Sequence, residues 1–255
     1  MRNPTEAVFE HKYFLEKEKE RAFDSDKELL GIFLYGSQNY NVATENSDVD
    51  TKAIYVPTLR EAVCREKRFV KTYVLPNEEH CELMDIRHMV NNYCKQNINF
   101  VETLFTDYCW VNPKYKDLWD KYFISQREDI ARYDISYGIA SAVGQAVHTL
   151  KQDSTDAKKL ANGYRFEYFL KRYPDISIPY KDCITVSDAA LRDIIIEFKN
   201  FDKPLGTPFF SDVMADKLLK IKEETKVKSD INKMNKIKKR MDEGIIKIIM
   251  RGEEL

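Results

Sequence analysis

A chain of 255 residues holds one large domain or two small ones with an ordinary hydrophobic core. The formal net charge of -1 gives no case for a nucleic-acid binder on overall charge, so any electrostatic steering has to come from local patches. The five cysteines (Cys64, Cys81, Cys94, Cys109, Cys183) are an odd total with no CxxC pair, which favours reduced thiols in a cytoplasmic protein over a disulfide framework.

Residues 5–23 are charged, with apolar positions at Val8, Phe14, Leu15 and Phe23, and read as an amphipathic helix ended by Asp24-Ser25-Asp26. The N-terminus lacks the apolar core of a signal peptide and no run reaches the length of a membrane span, so no membrane partner is expected. Gly31-Ile32-Phe33-Leu34-Tyr35 reads as a buried strand, and 51–56 as a second. Thr58 is placed to cap a short helix through Cys64. Residues 68–75 and 81–86 read as a hairpin turning at 76–79. Helical stretches at 87–95 and 98–105 and a short β piece at 108–111 lead to Pro113.

Beyond Pro113 the pattern is helix after helix, at 114–123, 126–150, 155–172, 187–199, 211–224 and 229–249. The last carries an apolar stripe from Ile231 to Ile248. The expected fold is therefore α+β: a small mixed β-sheet flanked by helices over 1–112, then an all-helical domain over 113–255.

Chemistry concentrates between the first two strands. Gly36-Ser37 follows the first, and ten residues later comes Asp48-Val49-Asp50. Alternate strand residues share a face, so Asp48 and Asp50 are expected side by side, about 6–7 Å apart along the backbone. Paired carboxylates are hard oxygen ligands suited to magnesium, and two such ions about 4 Å apart can activate an attacking hydroxyl and clamp a leaving pyrophosphate. Asp85, at the end of the second hairpin strand, is the candidate third ligand, with Glu82 and Glu79 as competitors. Glu82 and Asp85 differ by three positions, so only one can face the site from a regular strand. Gly36 would let the backbone approach a triphosphate and Ser37 would add a hydroxyl donor. Asn41 and Asn46 suit turn conformations.

The Gly36-Ser37 and Asp48-Val49-Asp50 combination resembles the signature of the DNA polymerase beta superfamily of minimal nucleotidyltransferases, and most closely the predicted nucleotidyltransferases of phages and RNA-repair gene clusters. Tyr35–Asn41 is similar to the family's Gly-Ser-x-x-Tyr-Gly turn, with Asn41 for the glycine. Met84-Asp85-Ile86-Arg87 and the 97–105 stretch resemble its third-carboxylate strand and its Asn-Pro-Asn and Glu-x-Leu-Phe segment, with Ile98 for the proline. Lys158 to Arg165 resembles a Lys-x-x-x-His-x-x-Arg helix, with Asn162 for the histidine. Lys158, Asn162 and Arg165 would share one helix face, and the resemblance implies that this face meets the nucleotide's phosphates. It also implies metal-dependent transfer of a nucleoside monophosphate from a nucleoside triphosphate, with two magnesium ions (manganese as the alternative). Asp48, Asp50 and Asp85 would be the catalytic ligands, and Gly36, Ser37, Lys158 and Arg165 would hold the nucleotide. An RNA or tRNA end is the preferred acceptor. A protein side chain, as in nucleotidylating antitoxins, and a non-catalytic nucleotide-binding module are the alternatives.

Two further patterns are weaker. His80, Cys81, Asp85 and His88 mix strand and helix without zinc-site spacing. The lysine-rich segment 217–240 reads as a solvated helix face in preference to a nucleic-acid track.

Overall fold

The computed structural model describes residues 2–21, 28–64, 70–152, 155–201, 203–205 and 207–253. The fold is mixed α+β. Helix α1 (Pro4–Arg21) precedes strands β1 (Glu28–Tyr35) and β2 (Asp50–Val56), followed by α2 (Leu59–Val63), β3 (Val70–Val74), β4 (His80–Asp85), α3 (Ile86–Cys94), α4 (Ile98–Val101) and β5 (Cys109–Val111). Then come α5 (Lys116–Tyr122), α6 (Arg127–Ala131), α7 (Ile135–Gln152), α8 (Ala157–Arg172), α9 (Tyr180–Ile184), α10 (Ala189–Lys199), α11 (Phe209–Glu224) and α12 (Ile231–Gly252). The proposed helix terminator at residues 24–26 and the first two positions of the 68–75 strand lie outside the described residues.

The five strands form one sheet in the order β3-β4-β2-β1-β5. Three pairings are antiparallel, and β2 with β4 is parallel, in register Thr51↔Cys81 through Tyr55↔Asp85. Strand alternation divides the apolar residues between two faces. Ile32, Leu34, Ala53 and Cys81 pack under Ala7, Val8 and Leu15 of α1. Phe33, Ile54, Val56 and Met84 face the remaining helices in a larger cluster, with Trp119 against Phe33 at 5.2 Å between ring centroids. That cluster runs from the sheet through α7, α8 and α11. Buried polar links cross it as well: the Tyr173 hydroxyl donates to Gln96 Oε1 (2.8 Å), and Gln96 Nε2 donates to the Ile130 carbonyl (2.8 Å).

Local signals explain most boundaries. Thr58 and Glu61 form a reciprocal capping box at α2, and Asp156, Asp188 and Asp230 cap α8, α10 and α12. The continuous helix expected over 126–150 is instead two. Arg132 leaves helical geometry (φ -120, ψ 33), and the Asp134 carboxylate accepts the Tyr137 amide at 3.0 Å, restarting the chain as α7. The single turn of α9 was not expected; Pro179 starts it and the buried ring of Tyr180 fixes it against Phe105 and Phe169. No helix among the described residues is long and apolar enough to cross a membrane.

Candidate functional site

The loop joining β1 to β2 is held from beneath. Gly36 leaves the strand at φ +99, a torsion that costs a side-chain-bearing residue; a Cβ there would meet nothing within 4 Å, so torsion and not crowding requires glycine. Its amide donates to Glu102 Oε2 at 3.2 Å and is therefore not available to a ligand. Glu102 also accepts from Asn39 Nδ2 (3.1 Å) and from the Tyr40 hydroxyl. Glu102 is fully buried, and burial pushes its carboxyl up to about 7 against those hydrogen bonds. The turn closes with Val42 N donating to Ser37 O (3.1 Å). Asn41 adopts φ 60, the left-handed conformation that suits an asparagine standing where the related motif has glycine. Its side chain donates to Val186 O (3.2 Å), and the Val186 amide donates to Tyr40 O (2.9 Å), so the loop is also tied to the helical half.

The loop's far end carries the carboxylates. β2 begins at Asp50, so Asp48 lies in the loop just before the strand. Both line one cavity of about 520 Å3 together with Ser37, Thr44, Ser47, Lys158 and Lys199. Asp48 is exposed, and its carboxylate makes no hydrogen bond or ion pair among the described residues. Asp50 Oδ1 accepts the His80 amide at 3.0 Å. Between them, Val49 is buried and its amide donates to Glu79 Oε1 (3.3 Å).

The third carboxylate is where sequence reasoning went wrong. In the parallel β2/β4 pair, strand starts lie beside strand starts, so Asp50 neighbours His80 and Cys81, whereas Asp85 is opposite Tyr55. Five residues along a strand separate them, about 16 Å. Asp85 is fully buried there, accepts the Arg87 amide at 2.6 Å as the cap of α3, and pairs with the Arg87 guanidinium. Glu79 is excluded differently. It lies on the α1 side of the sheet, bonded to His11 (3.0 Å) and Arg2 (3.2 Å). Glu82 is opposite Lys52 in register, so it shares a sheet face with Asp50 on the neighbouring strand. Its carboxylate accepts from the buried Lys52 Nζ at 2.6 Å, and that ammonium lies over the Tyr35 and Phe100 rings (4.0 and 4.2 Å). The alternation rule puts Glu82 and Asp85 on opposite faces, and the register, invisible in the sequence, gives the Asp50 face to Glu82; neither lines the cavity.

Basic residues of the helical half also line the cleft. Lys158 and Arg165 both reach the cleft from α8. Lys158 is exposed and lines the 520 Å3 cavity, whereas Arg165 lines an adjoining one of about 220 Å3 with Ser37, Tyr40, Asn162 and Lys199. Arg165 is 7% exposed; its guanidinium stacks on Tyr40 (4.1 Å) and donates through Nε and Nη2 to Asn162 Oδ1 (3.0 and 2.8 Å). Its Nη1 is buried without a partner, which an acceptor atom in that cavity would supply. Lys199, the last residue of α10, went unnoticed in the sequence. It donates to Val42 O (2.9 Å) and Ser47 Oγ (3.1 Å), and burial, then the charges of Lys158 and Arg165, push its ammonium down to about 8. No spacing ties it to the motifs, so only the packing of α10 on α8 reveals it.

Among the described residues no three His, Cys, Asp or Glu side chains gather closely enough to hold a metal, and the His80, Cys81, Asp85 and His88 set is split along β4 and α3. The unpartnered carboxylate of Asp48 and the second of Asp50 nevertheless suit a magnesium ion, which takes one or two carboxylates and completes its shell with phosphate oxygens and water. In the lysine-rich segment, Lys217, Lys233 and Lys238 form ion pairs with Glu167, Asp129 and Asp242, so much of that charge is matched within the fold. No protein-family model matches the chain, and no curated protein is significantly similar to it.

Proposed function

We propose that the protein is a metal-dependent nucleotidyltransferase, moving a nucleoside monophosphate from a nucleoside triphosphate to an acceptor hydroxyl, with an RNA or tRNA end as the acceptor. One juxtaposition carries the reading. Asp48 and Asp50, Lys158 and Lys199, and the Gly36-Ser37 turn line one cavity of about 520 Å3. A triphosphate needs cations along its phosphates and a divalent ion at the reacting phosphorus, and this cavity offers donors for both.

Asp48 and Asp50 would hold magnesium (or manganese), with phosphate oxygens and water completing its shell. A metal held there would supply the positive charge that lowers the pKa of the attacking hydroxyl and offsets charge on the phosphates. The chain's own groups do the rest. Ser37 donates to the phosphates through its hydroxyl, while Gly36 shapes the turn and leaves its amide on Glu102. Lys158 and the free Nη1 of Arg165 neutralise the leaving pyrophosphate. Asp50 Oδ1 is occupied by the His80 amide, which leaves Oδ2 to orient the acceptor hydroxyl.

The test is a screen of the four labelled triphosphates, with magnesium or manganese, against total RNA and total protein, using wild type and Asp48→Asn. Metal-dependent label in RNA that disappears in the variant, with the fold intact by circular dichroism, supports the reading. Label in protein transfers the acceptor to a side-chain hydroxyl, as in the antitoxin type. Undiminished transfer by the variant, or binding without turnover and indifferent to metal, refutes it.

A further inference from the structure

Resting on that reading, we propose that Lys199 is the general acid of the transfer, giving a proton from Nζ to the pyrophosphate oxygen as its bond to the α-phosphorus breaks.

The position of the ammonium carries the argument. Three side chains, Ser37, Lys158 and Lys199, line both the cavity holding Asp48 and Asp50 and the smaller one holding Arg165. A phosphate chain running from the carboxylates to the guanidinium crosses this junction, and the bond to be broken lies between its first and second phosphorus. Lys199 is fixed there by two hydrogen bonds, to Val42 O (2.9 Å) and Ser47 Oγ (3.1 Å), which leave the third ammonium proton for a ligand. The other two cations suit the role less. A guanidinium does not give up its proton in a protein, which removes Arg165, and Lys158 is exposed with its ammonium held by nothing among the described residues.

The electrostatics support the placement. The charged groups facing Lys199 are Lys158 and Arg165 of α8 and Asp48 of the loop; burial and the two cations lower its pKa to about 8, and Asp48 opposes them. An ammonium that acidic transfers its proton near neutral pH far more readily than a solvated lysine. The step balances. The acceptor hydroxyl loses its proton to solvent water as its oxygen bonds to the α-phosphorus, the electron pair of the broken bond passes to the pyrophosphate oxygen, and the Lys199 proton joins it there. Lys199 regains a proton from solvent after pyrophosphate leaves.

Lys199→Arg separates proton donation from charge, because arginine keeps the cation and its hydrogen-bonding reach but not the labile proton. The expected result is a kcat lower by about 10²-fold with the triphosphate KM within a few fold, acid–base groups contributing 10²–10⁴-fold in general. The fall in wild-type kcat/KM above about pH 8 should disappear. The deficit should shrink with a β,γ-difluoromethylene triphosphate, whose more acidic leaving group needs less protonation. In wild-type protein free of nucleotide, a 15N titration of lysine Nζ should show one ammonium near 8, a readout that does not require turnover. A variant kcat within about twofold of wild type, a deficit indifferent to the leaving group, or a Lys199 titrating near the ordinary value of about 10.4 would each overturn the proposal. Absence of transfer by the wild type would instead bring down the nucleotidyl-transfer reading, and the acid with it.

Discussion

Glu102→Gln should remove a pH dependence of stability that the wild type carries. Burial holds the Glu102 carboxyl at about 7, above its ordinary 4.5, although Tyr40, Asn39, Arg165 and the Gly36 amide all favour the ionised form. A carboxyl raised on folding contributes stability that is fully present below pH 4.5 and is lost as the pH rises through 7. At about 1.4 kcal/mol per pH unit, the interval amounts to roughly 3 kcal/mol. Glutamine has the same shape. Its carbonyl can take the Gly36 and Asn39 bonds, and its amide can donate to the Tyr40 hydroxyl, which then accepts. His11, pushed down by burial, adds the opposite slope, its contribution being lost as pH falls, but it does so in both proteins and cancels in the difference. Urea unfolding of the two proteins at pH 5, 6, 7 and 8 is the assay. The variant's advantage over wild type should grow by about 2–3 kcal/mol across that series. Parallel stability curves would show that the carboxyl does not titrate there and would refute the reasoning.

Asp85→Asn should retain transfer and lose stability by about 3 kcal/mol, since Arg87 would be left beside an uncharged partner; transfer assays and melting of the variant decide whether that carboxylate serves the site. Gly36→Ala should cost about 1–2 kcal/mol in urea unfolding through its φ of +99, with no steric clash to add. Arg165→Met should weaken binding of inorganic tripolyphosphate at least tenfold by calorimetry, because it removes the buried donor left without a partner. Unchanged affinity would take Arg165 out of the phosphate site.

Much of the fold was legible because its signals are local. The hairpin at 70–85, the cap at Thr58 and the strand ending at Gly36 each follow from a few neighbouring residues. The lining of the cavities was legible only where it too was local: the Gly36-Ser37 turn and Asp48 share one loop that runs into Asp50 at the head of β2, and Lys158 and Arg165 share one helix. Whatever depends on pairing between distant segments was not legible. Asp85 and Glu82 are three residues apart and both carry a carboxylate, and only the parallel register of β2 with β4 separates them. Lys199 is one of 41 basic residues, and nothing near it in sequence marks it as the one that reaches Ser47. Glu102 was quoted within a motif without a role, because its role is to accept hydrogen bonds from residues more than sixty positions away.

The anchoring of the loop by Asn41, Tyr40 and Val42 to residues 186 and 199 has a thermodynamic consequence. A fourteen-residue connection with free ends would have to be ordered by its ligand, at the expense of affinity. Here folding has already ordered it, and Lys199, one of the cavity's cations, is itself one of the anchors. Binding should therefore carry a small conformational-entropy penalty, and a bound triphosphate should raise the unfolding midpoint of sheet and helices as a single transition.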